Sequence, residues 1–265
     1  MILIKEVIGN EVSEKIHLLN SYLPFSANAI DSLEKYVNRT KFLLDKEQKL
    51  IIVIFESNYN KHIWNSPIVW VFGCLECINN IFEPLLREYP EGFIILACGN
   101  NFKPPKYENL KLYVEDLMIL KELKISPKRN PLKLDERYAL DSLTLSTYNK
   151  KEINQSELER ERNFLKERET YGFFMEGKLI SRGSIMSNAS GYSGIGGFIT
   201  HPDFRNKGYG TDLVSYISSI VIKRGNIPFL TVRSDNKIAI SLYSKIGFVK
   251  IGNVIFMDYK TGSIP

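Results

Sequence analysis

Apolar positions recur with two different periods along this chain, and each change of period marks an element. Val12, Ile16 and Leu19 fall on one face of a helix, and Ile30, Leu33, Val37 and Leu44 approximate a second helical stripe. Denser apolar runs follow at Leu50 to Glu56, Ile68 to Leu75 and Phe93 to Cys98, which read as strands. A short amphipathic piece, Phe82 to Tyr89, lies between the last two, and Leu110 to Leu120 reads as a further strand or edge element. Together these predict a small α/β or α+β unit.

Ser126-Pro127-Lys128-Arg129-Asn130-Pro131 then interrupts the pattern. Its prolines exclude a helix interior or a central strand, so the expected boundary divides residues 1–126 from 127–265. Beyond it, Asp135 to Tyr148 reads as a helix. A charged helix runs to about Glu169, with Ser156 as its expected N-cap. Tyr171 to Met175 and Leu179 to Met186 form a hairpin across Glu176-Gly177-Lys178, and Tyr192 to Thr200 is the next strand. Leu213, Val214, Ile217, Ile220 and Val221 share one face of a helix. Ile227 to Val232 is a strand, Asn236 to Ile246 a helix, and Val249 to Tyr259 an expected hairpin around Gly252-Asn253.

Composition narrows the classes without choosing among them. The chain has 265 residues, 44% hydrophobic and 25% charged, which suits one large or two small globular domains. A net charge of +5 suits a pocket for a polyanionic ligand. No dense Lys/Arg run interleaved with aromatics points to nucleic acid as a partner. The first ten residues are too short and too soon charged for a signal peptide, and no apolar run spans a bilayer, so a cytoplasmic protein is expected. Cys74-Leu75-Glu76-Cys77 has the spacing of a redox or zinc site, but Cys98 is the only other cysteine. Small buried side chains in a reducing cytosol are the simpler reading, and no metal is expected.

The chemistry is carried by Arg205-Asn206-Lys207-Gly208-Tyr209-Gly210-Thr211, set between a strand and a helix. Such a junction points several backbone N–H groups at one spot, beside the positive end of a helix dipole. A pyrophosphate is its natural guest, and Gly208 and Gly210 would allow close approach. A second segment, Asn236-Lys-Ile-Ala-Ile-Ser-Leu-Tyr-Ser-Lys-Ile-Gly-Phe248, follows in order after an intervening strand.

These two motifs resemble those of the GNAT superfamily of acyl-CoA-dependent N-acyltransferases, over about the last half of the chain. Arg205, Gly208 and Gly210 match its pyrophosphate loop, and the second segment resembles its closing helix. The resemblance implies a mixed, largely antiparallel central sheet in the C-terminal domain, preceded by a smaller α/β domain. By element order, that smaller domain could be a divergent copy of the same fold. It implies transfer of an acetyl group from acetyl-CoA (coenzyme A) to a primary amine, on a small molecule or a protein. The pyrophosphate would lie on the N–H groups of Asn206, Lys207, Gly208, Tyr209, Gly210 and Thr211, with Arg205 and Lys207 as supporting cations. Phe198, Ile199 and Thr200 would pair with the amide-bearing pantetheine arm by strand addition. Asn236 would contact the cofactor or cap its helix, and Tyr243 would be the general acid that protonates the leaving thiolate.

The general base stays open. Many members of the superfamily carry a glutamate on the strand before the loop, but Tyr192 to Thr200 contains no carboxylate. A water relay, Glu176 or Asp203 from a loop, or an amine that arrives neutral would each suffice, while His201 reads as a loop histidine. Two other functions compete: a non-catalytic acyl-CoA-binding or interaction module, and a glycine N-acyltransferase-like enzyme that takes larger acyl groups. The first half of the chain would shape the acceptor site or a homodimer contact.

Overall fold

The structure is a computed structural model that describes residues 4–56, 67–73, 78–98, 109–148 and 152–260. The first half of the chain forms β1 (Ile4–Val7), α1 (Asn10–Lys15), α2 (Ala27–Lys35), β2 (Thr40–Asp45), β3 (Leu50–Phe55), β4 (Ile68–Gly73), α3 (Ile78–Glu88), β5 (Gly92–Cys98) and β6 (Leu110–Leu120). The second half forms β7 (Leu132–Leu134), α4 (Ala139–Ser146), α5 (Gln155–Glu167), β8 (Glu169–Met175), β9 (Lys178–Ala189), β10 (Tyr192–Thr200), α6 (Tyr209–Lys223), β11 (Ile227–Arg233), α7 (Lys237–Ile246) and β12 (Phe248–Lys260).

Two compact units result: Met1–Leu117 with Gly252–Pro265, and Met118–Ile251. The chain passes from the first to the second inside β6 and returns inside β12. The segment Ser126 to Pro131, expected as the linker between 1–126 and 127–265, lies within the second unit. There the Lys128 N–H donates to Asp212 Oδ1 at 3.3 Å, at the start of α6.

In the first unit β1 to β4 pair antiparallel, β4 and β5 run parallel, and β12 closes the order antiparallel to β5. Ile52, Ile54, Val69, Val71, Phe93 and Ile95 pack with Phe82 and Leu85 of α3. The helical stripe expected through Leu44 stops earlier, because α2 ends at Lys35 and Thr40–Asp45 is a strand. Phe42 and Leu44 are both buried, and a spacing of two is a strand's period, not a helix's. The hairpin expected at Gly252-Asn253 is also absent: β12 runs straight through both. Gly252 does not adopt a left-handed conformation, and the Asn253 side-chain amide donates to Asp116 Oδ1 at 3.1 Å instead of closing a turn. Cys74 to Cys77 lies outside the described residues. Among the described residues no helix is long and apolar enough to cross a membrane.

In the second unit the strand order is β11-β10-β9-β8-β7, antiparallel except for the parallel β10–β11 pair. The hairpin turn between β8 and β9 forms as expected, with Glu176 and Gly177 at φ 50° and 76°. Both values are left-handed, as the two central residues of a type I′ turn require. Leu213, Ile217 and Val221 of α6 and Ile246 of α7 pack on Ile180, Ile185, Leu230 and Phe248. A separate cluster joins Ala139, Leu145, Phe164 and Leu165 of α4 and α5 to Leu134 and Leu179. Asn154, not Ser156, caps α5: its side chain accepts from the Glu157 N–H at 2.9 Å, and Glu157 accepts from the Asn154 N–H at 3.0 Å. This reciprocal pair satisfies two donors at once, so the helix begins before Ser156.

The turn from α7 into β12 is sterically committed. Gly247 has φ 121°, and a side chain there would collide with the Glu122 carbonyl oxygen. The Lys124 N–H donates to Ile246 O at 2.9 Å and keeps the two segments together. Gly247→Ala is therefore expected to lower unfolding free energy by about 1–3 kcal/mol or more, through left-handed strain and a backbone clash. Gly252→Ala, in extended backbone with open space, should stay within about 0.5 kcal/mol. Urea denaturation of both variants checks the contrast; equal stabilities would show that the turn relaxes freely.

Candidate functional site

The site is built where β10 leaves its parallel partner. Tyr192, Ser193 and Gly194 pair with Ile227, Pro228 and Phe229, and the pairing ends there. Ile195 to Thr200 then runs on beside β9 alone, through a register shift between Gly196 and Ile199. Gly197 sits in that bulge at φ 65° and is exposed. Such a bulge bends a strand and leaves its extra residue outside the ladder. The backbone edge of β10 that would face β11 thus becomes available to an extended partner. In the first unit the corresponding parallel pair stays closed, from Ile68 opposite Ile94 to Phe72 opposite Cys98.

Side chains fix the direction of the opened strand. Phe198 lies against Gly183 of β9, where any side chain would strike its ring. Its ring centroid is 6.3 Å from that of Tyr243, which contacts Phe248 at 6.0 Å. Ser181 Oγ donates to Ile199 O at 3.0 Å and lies 2.9 Å from Thr200 Oγ1, so the end of β10 is held from the β9 side.

The chain then turns sharply. A short 3-10 turn spans Pro202–Phe204, capped by the His201 side chain. Asn206 at φ 61° and Gly208 at φ 85° are left-handed on either side of Lys207. Arg205 Nε donates to Thr200 O at 3.1 Å, so this cation folds back over the strand end. Lys207 Nζ lies 5.1 Å from the centroid of the Phe204 ring. The first helical bond of α6 is Asp212 N–H to Gly208 O at 2.9 Å. The N–H groups of Tyr209, Gly210 and Thr211 precede it, and Gly208 brings no side-chain oxygen to cap them. A helix start with free donors and no capping side chain is a fit cradle for an oxyanion.

The two glycines differ. Gly208 needs its left-handed backbone, whereas Gly210 is helical. A side chain at Gly210 would meet Leu242 Cδ1 and Thr200 Oγ1 at 3.6 Å, ordinary contact distance. Gly210 therefore lies between the end of β10 and α7, which carries Tyr243.

α7 itself begins at Asn236, whose side chain accepts from the Ala239 N–H at 3.1 Å. Asn236 thus caps the helix. Tyr243 lies two turns further on, about 10 Å along the axis at a rise of 1.5 Å per residue. Its phenol is partly buried and has no hydrogen-bond partner among the described residues. Burial pushes its pKa up to about 12, so it holds its proton throughout the neutral range. The loop candidates for a base are placed less favourably. Glu176 forms the exposed β8–β9 turn, and Asp203 is exposed beside His201, which is engaged as the 3-10 cap.

One pair at the loop had no signal in the sequence. Asp212, in the first turn of α6, is 4% exposed and pairs through Oδ2 with Arg129 Nη1 at 2.5 Å. Arg129 reads as a linker residue, and the contact joins positions 83 residues apart, so local pattern could not reveal it.

Residues 170–257 match the family model described as FR47-like protein. The FR47-like family is GNAT-related. An acetyltransferase of Sodalis glossinidius is 34% identical over 77 residues, 28% of this chain and 54% of the relative. An acetyltransferase of Yersinia enterocolitica is 32% identical over 84 residues, 29% of this chain and 59% of the relative. The chain thus spans little more than half the length of these curated relatives. Among solved structures, a Drosophila protein aligns with a TM-score of 0.69 at 12% identity, over 98% of this chain and 99% of that one. A GNAT-family structure from Novosphingobium aromaticivorans gives 0.61 at 16% identity, over 90% and 99%. A tandem GNAT protein of the clavulanic acid biosynthesis pathway gives 0.57 at 12% identity, over 99% and 100%. At these identities the likeness is one of fold, and it runs through both halves of the chain.

The loop geometry separates its glycines experimentally. Gly208→Ala is expected to weaken the turn's hold on an oxyanion, with coenzyme A as the probe, because a left-handed alanine costs about 1 kcal/mol and reshapes the cradle. Gly210→Ala, at a helical position with room for a methyl group, should fold normally and retain affinity. Calorimetric titration of both variants with coenzyme A checks this; equal losses would mean that the two positions do not play separate parts.

Proposed function

We propose that this chain is an acyl-CoA-dependent N-acyltransferase that uses acetyl-CoA as donor and a primary amine as acceptor. The observation that carries the reading is the parting of β10 from β11 after Gly194, with the uncapped start of α6 at one end of the opened strand. A thioester donor supplies an activated acyl group; the protein's part is to hold it extended, balance its charge and manage protons.

In this reading the backbone of Phe198, Ile199 and Thr200 pairs with the pantetheine arm, and backbone N–H groups near the bulge polarise the thioester carbonyl. The N–H groups from Asn206 to Thr211 hold the pyrophosphate, with Arg205 and Lys207 adding positive potential. Asn236 keeps α7 capped. Tyr243 delivers its proton to the departing sulfur and takes one back from solvent. Because its phenol is protonated across the neutral range, no ionisation step has to precede donation. β10 carries no carboxylate, so the amine loses its proton to solvent or to a water relay before it attacks. The acetyltransferase names of the two curated relatives support the donor class.

The deciding experiment mixes the chain with acetyl-CoA and a panel of primary amines and follows thiol release. Release that depends on the amine supports the enzyme. Cofactor binding without release across the whole panel would favour a binding module.

Once an acceptor is known, Tyr243→Phe should cut the single-turnover rate about a hundredfold or more while leaving donor affinity nearly intact. Only a hydroxyl without a partner is lost, so packing survives. An unchanged rate under chemistry-limited conditions would remove the tyrosine from the mechanism, and equal losses of rate and affinity would assign it to packing. The pH profile gives an independent check. The rate should rise as the amine deprotonates and show no fall due to the phenol below about pH 11, since that group titrates near 12. A descending limb near pH 9 that vanishes in Tyr243→Phe would contradict the raised pKa.

A further inference from the structure

We propose that Arg129 is a phosphate-binding residue of the donor site, held at the glycine turn by the buried carboxylate of Asp212. The inference rests on reading residues 205–211 as the pyrophosphate loop. Asp212 is 4% exposed and sits in the first turn of α6. A carboxylate there suits the helix dipole, but a buried charge requires partners. It has two: the Lys128 N–H on Oδ1 and Arg129 Nη1 on Oδ2. Unpaired, that carboxylate would set a negative charge at the mouth of a site meant for a polyanion. Arg129 cancels it.

The guanidinium does more than cancel. It stays 44% exposed although one edge is tied down. Its Cζ lies over the Tyr209 ring, 4.6 Å from the centroid, so ion pair and ring together hold the group in place. Nη1 is 3.6 Å from the point where a side chain would begin on Gly208, the αL residue of the loop. Nε and Nη2 have no hydrogen-bond partner among the described residues. A fixed planar fork with unused donors, beside a helix start whose N–H groups are also unused, is the arrangement that binds phosphate oxygens in pairs. Lysine would bring charge without the fork.

The test uses the full chain and calorimetric titration with coenzyme A, 3′-dephospho-coenzyme A and S-acetylpantetheine, which lacks the nucleotide phosphates. Arg129→Gln should weaken coenzyme A binding by about tenfold or more, and Arg129→Lys by an intermediate factor. S-acetylpantetheine, which offers this guanidinium no phosphate, is the control ligand in the same titration. A loss that persists with the 3′-dephospho ligand places the contact on the pyrophosphate; a loss that disappears with it places the contact on the 3′-phosphate. The assignment falls if both variants bind coenzyme A as the wild type does. It falls too if the affinities for coenzyme A and for S-acetylpantetheine drop by the same factor, since Arg129 would then only brace the fold. Should Arg129→Gln fail to fold, Arg129→Lys keeps the Asp212 pair and decides alone. If the wild-type chain itself binds no coenzyme A, the pyrophosphate-loop reading fails, a result distinct from a wild type and variants that bind alike.

Discussion

The parting of two parallel strands is the constraint on which the rest of this site depends. β10 and β11 share three register positions, Tyr192 to Gly194 with Ile227 to Phe229, and then separate. Sheet hydrogen bonds are normally completed, and an open edge is a standing invitation to another strand. Here the opening is produced by named features. Gly197 takes a left-handed bulge conformation, and Phe198 swings against the bare Gly183 backbone toward Tyr243. The first unit shows the alternative outcome: its parallel pair, β4 and β5, is zipped from Ile68 to Phe72. Among the described residues, the first unit's parallel pair thus lacks the opening that β10 and β11 show.

Electrostatics at the far end of the opened strand follows from the same junction. β10 ends in a turn that feeds α6 directly, with its uncapped N–H groups at Tyr209, Gly210 and Thr211, and a side chain at Gly210 would meet Thr200 Oγ1. Arg205 and Lys207 add cations, each already steered by a local contact, to Thr200 O and to the Phe204 ring. Asp212 works against this field in principle and with it in practice, because Arg129 converts a buried negative charge into a rigid ion pair. A buried carboxylate of this sort contributes little stability by itself, but loss of its partner is costly. The pair therefore also ties the segment around Lys128 to α6 and accounts for the place of Ser126 to Pro131 inside the second unit.

The chemistry within reach is modest and specific. Burial raises the pKa of Tyr243 to about 12 and so keeps its phenol protonated through the neutral range. Capping by Asn236 and the blocked turn at Gly247 fix the two ends of α7, so the phenol sits on a short helix clamped at both termini. Rigid elements position a proton donor better than loops do. Glu176 and Asp203 both sit on exposed turns.

Much of this was legible in the chain itself. Arg205, Gly208 and Gly210 ahead of an amphipathic helix, followed by Asn236 to Phe248, mark the loop and the closing helix, because glycine placement and 3.6-residue periodicity are local properties. The β8–β9 hairpin was equally local, since Glu176-Gly177 dictates its own turn. Other features depended on partners distant in sequence. Whether residues near Leu44 become helix or strand was decided by the pairing of β2 with β1 and β3. Whether Gly252-Asn253 turns or extends was decided by the place of β12 in the sheet, with Asp116 taking the asparagine's amide. The length of the β10–β11 pairing, the burial that raises Tyr243 and the Arg129–Asp212 contact across 83 residues belong to the same class. Sequence by itself determined where the glycine turn and the capped closing helix form. Only the tertiary structure decided which strands stay paired and which charges meet, because desolvation and hydrogen-bond completion are settled by neighbours in space.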